Sequence, residues 1–205
     1  IRVPADSPNL IESKSLKLYL NSLNAMRYPD AHHVERLLRD DLGAAAGGAV
    51  EVRVMGLERV SEAAIHDAEG TCIDDLPIAV EHYGPPEPAF LRTDAGTRVS
   101  ETLVSHLLKS NCPVTAQPDW ASVVISYQGA AIDRAGLLRY IVSYRNHDEF
   151  HEQCVERMFR DLLARCAPDQ LSVSARYTRR GGLDINPWRG NAAQLAVPNR
   201  RLLRQ

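Results

Sequence analysis

At 205 residues with 44% hydrophobic side chains, the chain can bury a sizeable core, as one large domain or two small ones. Its 24 Lys and Arg nearly cancel 26 Asp and Glu, so no global field points to nucleic acid or an anionic membrane. No apolar run reaches the roughly 20 residues of a membrane helix, and four cysteines without a CxxC spacing fit a reducing cytoplasm better than a disulfide framework.

The first predicted element belongs to a repeat. "ESKSLKLYLNSLNAMRYPDAHHVERLLRDDL" (12–42) overlays "DRAGLLRYIVSYRNHDEFHEQCVERMFRDLL" (133–163) without a gap. Leu16 falls on Leu137, Tyr19 on Tyr140 and Ser22 on Ser143, and "VER" at 34–36 meets "VER" at 155–157. The same offset carries "AVEVRV" (49–54) onto "QLSVSA" (170–175), two half-buried strands by their alternation. Each copy therefore reads as strand, helix, strand. The second copy has a strand and a cysteine loop ahead of its repeat; their counterpart would precede Ile1, so a hairpin missing from the start is expected. "GTCIDD" begins a further strand with Cys72 as a small core residue, and the Pro-rich stretch around 84–98 reads as a linker. The predicted modules are residues 1–83 and 99–205.

In the second module "SETLVSHLLKS" is a strand leading into "NCPVTAQPDW" (111–120). Here a thiol, Cys112, and a carboxyl, Asp119, lie seven residues apart with Pro113 and Pro118 stiffening the turn. A thiolate fraction at Cys112 would be a strong nucleophile, and Asp119 could deliver protons to whatever it attacked. A turn with an incidental cysteine and a self-capping Asp is the plain alternative. "SVVISYQ" and "LLRYIVSYR" then alternate like paired strands around "GAAIDRA". A helix follows between "NHDE" and Cys166-Ala167-Pro168, with Phe150, Cys154, Val155, Met158, Phe159, Leu162, Leu163 and Cys166 on its buried face. Cys154 and Cys166 are small core residues in this reading.

The "FHE" run (150–152) opening that helix is not a zinc motif, because HExxH needs a histidine where Val155 stands. Glu152 either complements the helix dipole or reads a guanine-type edge through two parallel hydrogen bonds. "YTRRGG" (177–182) leaves a strand with two arginines and two glycines, able to approach a phosphate or simply solvated. No GxGxxG follows a strand, so a Rossmann-type site is not supported. The copies differ in their polar residues: Glu12, Lys14 and Lys17 stand in the first, His151 and Glu152 in the second.

Taken together, "ESKSLKLYLNS", "NCPVTAQPDW", "RNHDEFHEQCVER" and "YTRRGGLDINPW" resemble the NADPH-dependent 7-cyano-7-deazaguanine reductases, nitrile reductases of queuosine biosynthesis, in their long two-module form. The resemblance runs from about Asn9 to Trp188. It implies an α+β tunnelling fold shared with GTP cyclohydrolase I, in tandem modules of antiparallel sheet with helices on one side, assembled as a homo-oligomer, expected to be a dimer. It implies that Cys112 attacks the nitrile carbon to form a thioimidate, that Asp119 is the proton donor, and that His151 assists proton transfer or binds substrate. Glu152 and Glu12 would grip the guanine-like edge, with Ile11 and Ser13 beside Glu12 and Phe150 packed on the base. Ser13, Lys14, Arg180 and Gly181 match the NADPH-binding positions, and Lys17 joins them on charge grounds. Ala116 shapes the turn. No metal is required by this route, and no ligand cluster is visible in the sequence. Direct nucleic-acid or membrane partners are not expected. A zinc-dependent cyclohydrolase using Cys112 and His151 is the nearest rival, short of the three protein ligands catalytic zinc usually takes.

Overall fold

Glu12 starts the first helix by capping it. Its carboxylate accepts from the backbone N–H of Lys14 and of Ser15, both at 2.8 Å, and from the Ser15 hydroxyl, opening α1 (Ser13–Ser22). A 3-10 turn follows, and then α2 (Ala31–Ala46), where Asp30 accepts from the His33 N–H and Gly47 closes the end in the left-handed region at φ 73°. Leu38, Leu42 and Ala46 recur at helical spacing on the buried side of α2. They form a small core with Val50, against which Ile11, Leu16, Tyr19, Leu20 and Val34 pack half-buried. The expected strand over 49–54 reduces to a single bridge between Arg2 and Glu51. The structure, a computed structural model, describes residues 1–56, 64–192, 195 and 197–205. It divides into two compact units, Ile1–Ala64 and Ile65–Gln205.

The second unit is organised by one long hairpin. Strand β3 (Thr93–Asn111) runs antiparallel to β4 (Pro118–Ile132), from Thr93 opposite Ile132 to Asn111 opposite Pro118. Strand β5 (Gln170–Tyr177) pairs antiparallel with β4, and β6 (Trp188–Gly190) with β5. On the other edge the two-residue strand β2 (Thr71–Cys72) lies parallel to β3, so the sheet is mixed rather than wholly antiparallel. A separate parallel pair joins β1 (Ile65–His66) to β7 (Arg201–Leu202). Alternation in β4 and β5 sends Val123, Ile125, Tyr127, Leu171, Val173, Ala175 and Tyr177 into one core with α3 (Arg134–Val142) and α4 (His151–Cys166). Ser122, Ser172, Ser174 and Arg176 on the intervening positions are also buried, so β5 is covered on both faces rather than half-buried. Arg176 donates to Asn199 Oδ1 and to the Pro198 carbonyl, each at 2.6 Å, which brings the C-terminal segment onto that second face.

Two sequence expectations change here. "LLRYIVSYR" is α3 and a 3-10 turn, not a strand: Asp133 caps it through the Ala135 N–H, and Leu137, Leu138, Tyr140, Ile141 and Val142 are all buried. A helix buried nearly all round shows no amphipathic period, so its alternation misleads. Cys72 is exposed rather than a core residue, because β2 is an edge strand, whereas Cys154 and Cys166 are buried as expected.

The gapless repeat also slips. α1 and α3 keep the expected register, with Ser22 and Ser143 each bonding the carbonyl three residues back. In the second helices, however, Leu38, Leu42 and Ala46 correspond to Met158, Leu162 and Cys166, and left-handed Gly47 corresponds to left-handed Ala167. That register is one residue away from the "VER" match, because residues 23–30 form a connection one residue longer than 144–150.

The division at 64/65 places residues 65–92 with the second unit. Ile73 and Leu91 are in its core, the Glu87 N–H donates to Ser143 Oγ, and the Asp133 N–H donates to the Arg92 carbonyl. The stretch expected as a linker, 84–98, is thus pinned to the second unit and contains the start of β3.

Candidate active site

The β3–β4 turn closes the gap between the thiol and the acid. Ser110 faces Asp119 across the ladder, and Cys112 is the first residue beyond β3. The Cys112 N–H donates to the Gln117 carbonyl at 2.9 Å and its carbonyl accepts from the Ala116 N–H at 2.8 Å. Ala116 turns the loop at φ 54°, in the left-handed region. Pro118 and Asp119 therefore belong to a strand and not to the loop that the prolines implied. Both reactive residues are largely shielded, Cys112 at 9% exposure and Asp119 at 6%.

Two further elements reach this turn. Ahead of α4, the Asn111 N–H donates to the His147 carbonyl and the Glu149 N–H to the Asn111 carbonyl, which fixes the start of α4 beside Cys112. Phe150 occupies the N-cap position without a side-chain cap bond, and His151 and Glu152 form the first turn. His151 Nε2 lies 3.0 Å from Asp119 Oδ2, and its ring stacks on Tyr177 with centroids 3.8 Å apart. Its Nδ1 is buried and unpartnered. Beyond β5, Arg180 and Leu183 exchange backbone hydrogen bonds around Gly181 and Gly182, at φ 60° and 84°. Positive φ at both central positions makes a primed two-residue hairpin turn, which only glycine-like residues adopt cheaply. The turn is ordered by those bonds, and it aims Arg180 inward. Arg180 Nη1 lies 3.3 Å from Asp119 Oδ1 and donates to Gln117 Oε1 at 3.1 Å.

The same guanidinium favours the charged form of the Cys112 thiol. Burial pushes that thiol up, but the Thr115 hydroxyl, Arg180 and the N–H groups of Val114 and Thr115 stabilise the thiolate, and the net result lies below the usual value. The other three cysteines go the opposite way. Burial raises Cys154 to about 12 and Cys166 to about 11, and it raises Cys72 as well. Glu152 is raised by burial, opposed by its own N–H and by His151. Cys112, Asp119, His151 and Arg180 thus form one connected polar group, with Glu152 on the next position of the same helix turn. Thr115, Gln117 and Tyr177 complete its contacts; nothing in their sequence spacing singled them out.

The remaining expected residues lie in the first unit. Ile11 packs on its core, Ser13 opens α1, Lys14 is exposed on the first turn and Lys17 is half-buried. Both Glu12 oxygens are engaged as the helix cap described above. Burial works against the charged form, but the hydrogen bonds from Lys14 and Ser15 prevail and hold the carboxyl low. Among the described residues no helix is long and apolar enough to cross a membrane.

Known proteins resemble this chain over most of its length. Residues 1–54 match the family description "Nitrile reductase, 7-cyano-7-deazaguanine-reductase N-term", and residues 118–195 match "QueF-like protein". A "NADPH-dependent 7-cyano-7-deazaguanine reductase" of Dechloromonas aromatica (strain RCB) is 57% identical over 204 residues, covering 100% of this chain and 72% of that protein. Its namesake from Azoarcus sp. (strain BH72) is 61% identical over 191 residues, 93% of this chain and 67% of that one. The solved apo archaeosine synthase QueF-Like superimposes with a TM-score of only 0.40 at 18% identity, over 56% of this chain and 99% of that one, too slight a likeness to add to the fold. On the strength of its close relatives, this chain belongs to the family of NADPH-dependent 7-cyano-7-deazaguanine reductases.

Proposed function

We infer that the chain reduces the nitrile of 7-cyano-7-deazaguanine to the aminomethyl group with NADPH, an oxidoreductase step of queuosine biosynthesis for tRNA. The observation that carries the mechanistic reading is the contrast among the cysteines: Cys112 alone has its thiol lowered, and it shares Arg180 with the Asp119–His151 pair.

In this reading the Cys112 sulfur bonds the nitrile carbon. One C–N π bond breaks, and the nitrogen takes a proton from the hydrogen-bonded Asp119–His151 pair, leaving a neutral thioimidate. A nitrile accepts hydride poorly, while a protonated thioimidate is a far better electrophile, so one hard step becomes two easier ones. NADPH, when bound, supplies hydride. After the first reduction the C–S bond breaks, Cys112 leaves as thiolate stabilised again by Arg180 and Thr115, and an imine remains for the second. Arg180 is thus a positioning residue for both thiolate and carboxylate.

Burial works against the charged form of Glu152, which two hydrogen bonds from a purine-like N–H edge would restore. Phe150 would pack on the base, and the unpartnered Nδ1 of His151 offers a further contact. As a proposed substrate contact Glu12, between Ile11 and Ser13, has only its remaining lone pairs to offer, since both its oxygens are already bonded to α1. For NADPH we propose contacts from Ser13, Lys14 and Lys17 in the first unit and from Arg180 and the Gly181 backbone in the second; because Glu12 takes the first α1 N–H groups, the cationic side chains are the groups proposed for its phosphates. We further propose tandem tunnelling-fold modules akin to GTP cyclohydrolase I, a homodimer, and a cytoplasmic location.

Incubation with 7-cyano-7-deazaguanine in the absence of NADPH tests the covalent step. Intact mass should rise by one substrate per chain, and Cys112→Ala should abolish the gain and the reductase activity. An unmodified wild-type chain under saturating substrate would overturn the thioimidate route while leaving family membership untouched.

A further inference from the structure

We propose that Cys72, Asp74 and His106 form a binding site for a borderline-soft divalent cation of the zinc type, built from residues that the nitrile chemistry does not use. Their donor atoms, one sulfur, one carboxylate oxygen and one imidazole nitrogen, all lie within 4.8 Å of one another.

The fold assembles this trio from two separate stretches of chain. Strand β2 lies parallel on β3 with Cys72 opposite Val104, and the Ile73 N–H extends the ladder to the Val104 carbonyl. Strand β3 breaks register between Ser105 and Leu108. An irregularity of this kind re-aims the side chain at the break and leaves backbone groups unpaired. His106 is the residue re-aimed. Its N–H donates to Asp74 Oδ2 at 2.8 Å, and its carbonyl accepts from Arg204. The backbone of the break is therefore satisfied by one oxygen of Asp74.

Capping the bulge leaves the rest of the cluster unexplained. Asp74 Oδ1 is buried with no hydrogen-bond partner, an arrangement that is costly unless something occupies it. His106 Nδ1 lies 2.8 Å from the hydroxyl of buried Ser122. With that nitrogen donating to Ser122, Nε2 carries the free lone pair, which is the way ligating histidines are usually fixed by an outer hydrogen bond. A thiolate, an imidazole and a carboxylate make a three-ligand set suited to tetrahedral zinc, with a fourth position for water. Cys72 is exposed, so the ion has a route in. A cation here would clamp the two-residue edge strand β2 to the bulge in β3.

Titration of the chelator-stripped full chain with Co2+, followed by displacement with Zn2+, tests the site in a Cys112→Ala background, in which Cys72 is the one exposed cysteine and Cys154 and Cys166 are buried. One equivalent of Co2+ should produce a sulfur-to-cobalt charge-transfer band that Cys72→Ser removes. Asp74→Asn keeps an oxygen for the His106 N–H but loses the charge, and Ser122→Ala loosens the imidazole; each should weaken binding by about tenfold or more. X-ray absorption of the zinc-loaded chain needs no further variant and should show one sulfur at about 2.3 Å with lighter ligands at about 2.0–2.2 Å. A shell without sulfur, a charge-transfer band that survives Cys72→Ser, or wild-type affinity in Asp74→Asn would each overturn the site.

Discussion

The α1–α2 pair and the α3–α4 pair share a pattern of caps and tyrosine bonds. Each first helix is capped by an acid, Glu12 or Asp133, and each sends a tyrosine hydroxyl to an aspartate on the second helix, Tyr19 to Asp41 and Tyr140 to Asp161. Their interiors differ. No residue of α1 is buried and only Leu38, Leu42 and Ala46 of α2 are, whereas α3 and α4 are buried along most of their inward faces. They also differ at one cap. Asp30 closes the N-terminus of α2, but the structurally equivalent position before α4 is Phe150, which makes no cap bond. The comparison teaches that both helix pairs are held by the same kinds of bonds, and that the helix whose first turn carries His151 and Glu152 is the one without a side-chain cap.

Paired core truncations provide the strongest test of this difference. Leu162 is fully buried in the large core, and Leu42, its counterpart, sits in the small one at 4% exposure. Leu162→Ala should cost about 3–5 kcal/mol and Leu42→Ala nearer to about 2–3 kcal/mol, because the thinner core collapses more easily around the gap. Urea unfolding, with hydrogen exchange read separately in α2 and α4, measures both. Equal losses would mean that the two cores are equivalent despite their different burial.

The tyrosines should show the same order on a smaller scale. Tyr140 is fully buried; its hydroxyl donates to Asp161 at 2.6 Å and lies 2.8 Å from the Tyr144 hydroxyl. Tyr140→Phe leaves those partners short of a bond inside the core and should cost about 2 kcal/mol. Asp41 is exposed, so water replaces the lost bond in Tyr19→Phe, at a cost of about 0.5–1 kcal/mol. If Tyr19→Phe proved the costlier change in the same urea assay, the burial argument would fail.

The likeness between the helix pairs was legible in the matching Tyr19 and Tyr140 and Ser22 and Ser143. Its one-residue slip was not, since the coincident "VER" triplets sit on either side of connections of unequal length. Helix α3 was hidden by burial on nearly every side. At the site, Cys112 and Asp119 could be paired from sequence because one tight turn joins them. Arg180 suggested only a phosphate contact; its place between Cys112 and Asp119 depends on β5 pairing with β4, a long-range register that the residues near Arg180 do not encode. The Cys72–Asp74–His106 cluster was invisible for the same reason, its members being brought together by a parallel pairing and a register break.

The missing cap can be restored. Phe150→Asp copies Asp30 and offers a carboxylate to the free N–H groups at the start of α4, stabilising the helix by about 1 kcal/mol. Part of that gain is offset by the loss of a half-buried aromatic ring. The new charge would also stand next to His151 and Glu152, in the segment hydrogen-bonded to Asn111 beside the thiol. A carboxylate there disfavours both the Cys112 thiolate and ionised Glu152, and it competes with Asp119 for His151. Activity should therefore fall even as resistance to urea rises, with the loss visible in the rate of thiol alkylation before any substrate is added. Phe150→Leu serves as the control, since it loses the ring and adds neither cap nor charge. If the Asp variant gained stability and alkylated at the wild-type rate, the open cap would have no bearing on the thiol, and its absence from α4 would need another cause.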